Sequence, residues 1–485
     1  MRRVSAAVVL VVGALVSSGV VAAEAPVTTA PPSTAPLDPA APPSTVAPST
    51  TVVPPTTNPA PESPAASEAT ITVGDEAAYR AALASLSATP TGLHAIVLTA
   101  DITVDDGTDP TYTGARDLVI DGRGFALDAG GTSRLLVMDS PTDASLTMTD
   151  VIVRNGSAAG DGGGVLVTNA STVEVVDTRF EGNEASGSGG ALAVPEVASI
   201  VRSDFAANTA STGDGGALDA ASPGGDFVIQ ESQFVDNSAP AGDGGAVSAT
   251  GSGSPSNEGG VQRSTFVGNR ARRGGALVLT SGGTVTNTTI VDNTATVSGG
   301  GIRAEGRNIA AGLYLTMTGN AAPQGANIDL PGRELYIFFS VIGDPGGGGE
   351  NCALVGPNQF NEVHVDDSSC RGPAAPGPAE LGPLVDNGGR TLTREPLPGS
   401  PLIDAIDRGF GWPTMSGGCA RYLQLDGFDQ RGLERPKDGD GETRIDSYGG
   451  EPYEVEADCD IGAVEARTFV PPSSGPVPAA PPFTG

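Results

Sequence analysis

Lysine, histidine and aromatic residues are scarce in this sequence. Lys437 is the single lysine, His94 and His364 are the two histidines, and aromatic residues make up 4% of the chain. With 57 acidic and 26 basic residues, the formal net charge is −31. A chain this acidic repels nucleic acid, so no nucleic-acid partner is expected. No glycine-rich stretch is followed by a lysine, which excludes a phosphate-binding P-loop.

The two ends of the chain lack the composition of a folded domain. Residues 1–23 have two arginines, an apolar stretch and small residues, which is the pattern of a signal peptide; an uncleaved membrane anchor is the alternative. Residues 24–68 and 467–485 are rich in Pro, Thr, Ser and Ala, and we expect a disordered stalk and a disordered tail. The sequence therefore predicts a secreted or cell-surface protein with no transmembrane span beyond the signal peptide.

Cysteine is also rare and falls entirely in the last third of the chain. An even number of cysteines in an exported protein predicts disulfide bonds, and four cysteines allow three pairings. Pairing of sequential neighbours would close the shorter loops. The absence of a Cys-x-x-Cys motif argues against a zinc site or a redox pair. The four residues are Cys352, Cys370, Cys419 and Cys459.

Glycine, in contrast, is abundant, and glycine pairs recur in a repeat of roughly 24–32 residues. Each unit has an aromatic or apolar residue, an asparagine three positions later and, in all but the last, a glycine pair followed by an apolar residue. The asparagines are Asn155, Asn183, Asn208, Asn237, Asn269, Asn293 and Asn320. Phenylalanine precedes four of them, at Phe180, Phe205, Phe234 and Phe266, and Ile152, Ile290 and Met317 precede the others.

This repeat predicts an all-β fold, a parallel β-helix over residues 69–345. No unit contains a helix-length segment, a leucine-rich pattern or the four strands of a propeller blade. We expect the phenylalanines to stack in the core, the asparagines to form a hydrogen-bonded ladder at an αL corner, and the glycine pairs to make the next corner. About nine or ten coils would stack at strand spacing. A helix over Asp75 to Leu86 would cap the first coil, and a disulfide-containing module over residues 346–466 would close the other end.

The repeat resembles those of polymorphic outer-membrane proteins, which form right-handed β-helices. The C-terminal region resembles the choice-of-anchor Q domain family more specifically. That resemblance rests on Leu381 to Ala405 ("LGPLVDNGGRTLTREPLPGSPLIDA"), Asp429 to Gly432 ("DQRG"), Arg435 with Pro436, and Cys459 to Glu465 ("CDIGAVE").

The resemblance covers residues 69–465 and implies an exported cell-surface β-helix protein with no catalytic residues to transfer. The closing "PPFTG" (Pro481 to Gly485) is similar to a sortase signal, with Pro481 where leucine is expected. Wall attachment through the tail and chance likeness in a proline-rich segment are the two readings of this motif.

The candidate chemistry of the repeats is limited to corner residues. Asp161, Asp214 and Asp243 each precede a glycine pair, and they would form either an acidic column or ordinary solvated turns. "RARRGG" (Arg270 to Gly275) is the one dense cationic patch, and a solvated corner is its simpler interpretation. Arginines beside three convergent carboxylates in one cleft would indicate a polysaccharide lyase or glycoside hydrolase.

The loop "DGDGETRID" has the alternating carboxylates of a calcium site, without the full EF-hand pattern. Its candidate ligands are Asp438, Asp440, Glu442 and Asp446, and an acidic surface loop is the alternative. Apart from calcium, no cofactor is expected. The sequence favours a structural, adhesive or ligand-binding surface protein, with a surface glycan or protein as partner. A carbohydrate-active enzyme and a calcium-dependent binding module are the two alternatives.

Overall fold

A computed structural model describes residues 69–466, with short gaps and two longer ones at 406–427 and 434–443. The first elements are β1 (Ala69–Val73), α1 (Glu76–Ser87), β2 (His94–Leu98), β3 (Ile102–Thr103), β4 (Thr111–Tyr112), β5 (Leu118–Asp121), β6 (Ala126–Asp128), β7 (Leu136–Asp139), β8 (Leu146–Thr149), β9 (Ile152–Arg154), β10 (Ser157–Ala158), β11 (Val165–Asn169), β12 (Thr172–Val176), β13 (Arg179–Glu181) and β14 (Glu184–Ala185). The next are β15 (Leu192–Val194), β16 (Val197–Val201), β17 (Asp204–Ala206), β18 (Thr209–Ala210), β19 (Leu218–Ala221), β20 (Phe227–Gln230), β21 (Gln233–Val235), β22 (Ser238–Asp243), β23 (Val247–Thr250), β24 (Gly260–Gln262), β25 (Thr265–Val267), β26 (Arg270–Arg273) and β27 (Leu277–Leu279). The last are β28 (Gly283–Val291), β29 (Thr294–Ser298), β30 (Ile302–Ala304), β31 (Ala310–Thr318), β32 (Ile328–Leu330), β33 (Leu335–Phe338), β34 (Val341–Gly343), β35 (Cys352–Leu354), β36 (Gln359–Asn361), β37 (His364–Val365), β38 (Arg444–Tyr448) and β39 (Glu451–Val455).

These strands wind into a right-handed parallel β-helix of about 10 turns, which confirms the predicted fold class. Three parallel sheets run along it: sheet A has 21 strands, sheet B has 10 and sheet C has 6. Most coils contribute two strands to sheet A, and those of the middle of the rod add one strand each to sheets C and B. The hairpin of β38 and β39 is antiparallel.

The predicted aromatic stack lies in the core. Phe180, Phe205, Phe234 and Phe266 are fully buried and occupy the same register position on β13, β17, β21 and β25. Their ring centroids are 4.7 to 4.8 Å apart and the rings are parallel within 5°. Ring spacing equals strand spacing, so the stack follows directly from in-register pairing of the coils.

The asparagine ladder is confirmed from Asn183 to Asn320. In each of these coils except that of Asn320, the side-chain amide donates to the amide oxygen of the next asparagine at 2.9 to 3.0 Å. The ladder then continues through residues outside the motif, from Asn320 to Asn327 and from Asn327 to Asn351.

The predicted place of Asn155 in the ladder is wrong. Strand pairing aligns Arg154 with Glu181, so Asn155 lies one residue earlier than Asn183 in the coil. It is exposed, has a φ of 54° and donates to Asp128. The same shift puts Val153, rather than Ile152, at the position of the phenylalanines. The αL residue of each corner therefore precedes the ladder asparagine, where Gly182 has a φ of 59°.

Both ends of the β-helix carry additional structure. Helix α1 begins after Asp75, whose carboxylate accepts a hydrogen bond from the Ala78 backbone N–H, and its apolar face is buried against the first coils, as predicted. At the other end, parallel pairing continues beyond residue 345 to β37. The disulfide between Cys352 and Cys370 joins the last sheet B strand to the chain that follows β37.

The first part of the C-terminal module forms the last coil, through β37, and the described residues from 377 onward contact the side of the rod, whereas the sequence predicted the module over the end. Arg390, for example, contacts Asp204, which precedes it by 186 residues. Several predictions fall outside the described residues: the signal peptide, the stalk, the tail, the pairing of Cys419 and Cys459, and the side chains of the calcium loop.

Candidate functional site

The corner between sheets C and B presents two neighbouring columns of outward side chains. The first column consists of the residue before each glycine pair: Asp161, Ser188, Asp214, Asp243, Arg273 and Ser298. The second consists of the outward residue of the following sheet B strand: Leu166, Ala193, Asp219, Ser248, Val278, Arg303 and Asp329. The corner is tight because successive coils nearly touch; a Cβ at Gly216 would lie 2.1 Å from the Gly245 carbonyl oxygen.

The three aspartates that the sequence singled out do line up as a column, and the carboxylates of Asp161 and Asp214 also support the turns. Asp161 Oδ1 accepts the backbone N–H of Ser188 at 2.7 Å. Asp214 Oδ1 accepts the backbone N–H of Asp243, also at 2.7 Å. Each carboxylate therefore ties its own coil to the next coil, and Ser188 interrupts the acidic run.

Asp219 is the residue of this corner that the sequence analysis missed. It lies on β19 between the buried residues Leu218 and Ala220, so its side chain points outward. Burial and then repulsion from Asp214 raise the pKa of Asp219 to about 7, against the opposing effect of a hydrogen bond with Ser248. A carboxyl with this pKa is half protonated near neutral pH.

Arginines occupy the corner next to these carboxylates. Arg272 and Arg273 both reach Asp243, at 3.0 and 2.6 Å. Arg303, one coil further on, pairs with Glu305 and with Asp329. The predicted cationic patch is thus an ion-paired network, apart from Arg270, whose side chain is exposed on β26.

We call this set the corner patch: Asp214, Asp219, Asp243, Arg272, Arg273, Arg303, Glu305 and Asp329. Its acidic half can accept hydrogen bonds and exchange a proton at Asp219. Its paired half presents guanidinium donors beside carboxylate acceptors. Asp243 and Asp329 are buried beneath the guanidinium groups, and the other members of the patch are partly exposed. These partly exposed groups can bind the hydroxyl groups of a polyhydroxylated ligand, which are donors and acceptors at once.

Within the described residues, no group of three or more histidine, cysteine or acidic side chains is placed to hold a metal ion. Asp438, Asp440 and Glu442 lie outside them, and for Asp446 the structure gives the backbone of β38. In the same part of the chain, no helix is sufficiently long and apolar to cross a membrane.

Comparisons with protein-family models, with curated proteins and with solved structures gave no match for this chain. The resemblance to the choice-of-anchor Q family therefore stays a prediction that rests on the motifs quoted above.

Proposed function

We propose that this chain is an exported β-helix protein of the cell surface that acts as a rigid binding rod. The ligand we assign to it is a neutral surface glycan, held at the corner patch. Support for export comes from the N-terminal signal pattern and from the Cys352–Cys370 disulfide, since disulfides persist in oxidising compartments. The net charge of −31 disfavours polyanionic ligands.

The observation that carries the proposal is the mixed charge of the corner patch. The polar groups of the coil interior, such as the ladder asparagines, are satisfied by one another and are buried. The corner patch instead places Asp214, Asp219 and the arginines on the outside of adjacent coils. A glycan lying across these coils would meet carboxylates and guanidinium groups at strand spacing.

The test is binding of the full chain to a panel of soluble neutral polysaccharides, measured by titration calorimetry. We expect saturable binding to at least one of them, and loss of that binding in the double variant Asp214→Ala/Asp219→Ala. Glu174→Ala is the matched control, because it removes an exposed carboxylate of β12 on sheet A. Absence of binding by the unaltered chain, or equal loss in the control, would contradict the proposal.

A second candidate function is glycoside hydrolysis at the same patch, and the raised pKa of Asp219 favours it. A carboxyl that is half protonated near pH 7 can donate its proton to a leaving-group oxygen. A second carboxylate such as Asp214 would act as the nucleophile or would activate the attacking water. The readout is release of reducing ends from the bound polysaccharide. If the patch hydrolyses the polysaccharide, Asp219→Asn should still bind it but should no longer release reducing ends. If the unaltered chain binds the polysaccharide without releasing reducing ends, the patch serves recognition alone.

A further inference from the structure

The C-terminal segments hold the rod from the side, and their contacts begin far from its end. We define the lateral clamp as residues 377–403, 428–433 and 462–464, the segments that return along sheet A. Its outermost contact is Arg390, whose guanidinium meets both Asp204 carboxylate oxygens at 3.1 Å and the Arg202 carbonyl oxygen at 2.9 Å. The clamp thus reaches the coil of β17, well inside the rod.

Gln430 forms the centre of the lateral clamp. Its buried amide nitrogen donates to the Thr265 hydroxyl at 2.8 Å and to the Ser264 carbonyl at 3.1 Å. Its amide oxygen accepts the Thr289 hydroxyl at 2.6 Å. The same amide nitrogen also donates to Thr391, so one side chain joins two clamp segments to two successive coils.

The last described residues of the clamp contact the coils near the end of the rod. The Ala463 backbone N–H donates to the Thr316 hydroxyl at 3.0 Å, and the Gly462 backbone N–H donates to the Phe339 carbonyl at 2.9 Å. Leu402 packs in one buried cluster with Phe339 and Val341. Between these contacts and Arg390, the clamp spans β17, β21, β25, β28, β31 and β34.

The clamp segments are also tied to one another. The Arg431 guanidinium pairs with Asp429 at 2.6 Å and with Glu395 at 2.5 Å, and Arg431 and Asp429 are both buried. Arg431 and Asp429 belong to the same segment, so the pair with Glu395 is the one that joins two segments.

We propose that the lateral clamp bears tension that arrives through the C-terminus. The last coil ends at Val365, and a chain leaving there would pull directly on β37 and peel coils from the end. Instead, the last described segment of the clamp lies against the side of the rod, where Ala463 contacts Thr316. A pull on the C-terminal tail must break the contacts of Ala463, Gln430 and Arg390 before any load reaches the last coil.

Single-molecule force spectroscopy on the full chain tests this order of events. One handle is attached at exposed Glu184 of β14, and the other at Gly485. We expect a first extension that releases the clamp, followed by steps of one coil, which correspond to 24 to 32 residues by the spacing of the ladder asparagines. Coil-sized steps before or together with the first extension would overturn the proposal.

Variants identify the contacts that resist the pull. Gln430→Ala is expected to lower the force of the first extension and to leave the later coil steps unchanged. Arg390→Ala removes a partly exposed contact and provides the milder variant if Gln430→Ala does not fold. Gln230→Ala, a half-buried glutamine of β20, is the matched control. An unchanged first extension in both clamp variants would overturn the proposal, whatever ligand the corner patch binds.

Discussion

A ladder asparagine such as Asn237 forms hydrogen bonds with both neighbouring coils at once. Asn237 Oδ1 accepts the backbone N–H and the side-chain amide of Asn208, both at 3.0 Å. Its own amide nitrogen donates to Asn269 and to the Phe205 carbonyl, also at 3.0 Å. All of these groups are buried, so a change at one position leaves polar atoms of adjacent coils without partners.

Asn237→Ala is therefore expected to lower the free energy of unfolding by about 2–4 kcal/mol, because buried donors of Asn208 lose their acceptor. The measurement is urea unfolding followed by circular dichroism. Asn155→Gly is the matched control; Asn155 is exposed, and the next coil already has glycine at that position. We expect it to change stability by less than about 0.5 kcal/mol. Equal effects of the two variants would contradict a buried ladder that begins at Asn183.

The stability of the fold should also depend on the protonation of Asp219. Its pKa is raised to about 7 in the folded state, so the folded state holds the proton more tightly than the unfolded state. The stabilisation from the protonated form is complete below the unfolded pKa near 3.8 and is lost as the pH rises through about 7. Asp219→Asn removes this dependence. Relative to the unaltered chain, the variant should gain about 1–4 kcal/mol between pH 4 and pH 8.

Urea unfolding of both proteins across this pH range provides the test, with Glu174→Gln as a control for an exposed carboxylate. Parallel curves for the unaltered chain and Asp219→Asn would show that Asp219 has an ordinary pKa.

At the scale of elements, the sequence predicted the repeated coil and failed where repetition ends. Phe180 and its equivalents were identifiable because in-register coils place like residues together. Asn155 was misassigned because the repeats were aligned on their asparagines, whereas the strand register places Asn155 one residue before Asn183. Asp219 was missed because its column holds a different residue in most coils. The clamp was misplaced because its contacts, such as Arg390 with Asp204, join residues 186 positions apart.

The disulfide at the end of the coil should stabilise the junction between β35 and the chain after β37. Cys352 and Cys370 are separated by 18 residues, and closing a loop of this size in the unfolded chain contributes about 3 kcal/mol. The double variant Cys352→Ser/Cys370→Ser should lose roughly that amount in urea unfolding. It isolates this bond from Cys419 and Cys459, which a reductant would also affect. Unchanged stability would mean that the native contacts already fix this junction.

The acidic loop near β38 makes a separate prediction. If Asp438, Asp440, Glu442 and Asp446 bind calcium, the ion stabilises the folded state by mass action and raises Tm. We expect a saturable rise in Tm on addition of calcium, lost in Asp438→Ala/Asp440→Ala and unaffected by Asp386→Ala, an acidic residue of the clamp. A Tm that does not respond to calcium identifies the loop as an acidic surface.

At the scale of the whole molecule, the corner patch and the lateral clamp occupy different faces. The lateral clamp covers the outer face of the second strands of sheet A, where Asp204, Thr265 and Thr316 lie. The corner patch lies at the corner of sheets C and B. A tensile load on the C-terminal tail would therefore be carried by side chains that do not belong to the proposed ligand site.

The parallel rings of Phe180, Phe205, Phe234 and Phe266 have a consequence for how such a chain can change over evolution. Every coil in this stretch packs against the coil before it and the coil after it through the same ring contact. Duplication of one coil within the gene would preserve both the ring stack and the ladder, and it would lengthen the rod by about 4.8 Å. The length of the rod is thus adjustable in units of one coil, without redesign of the core.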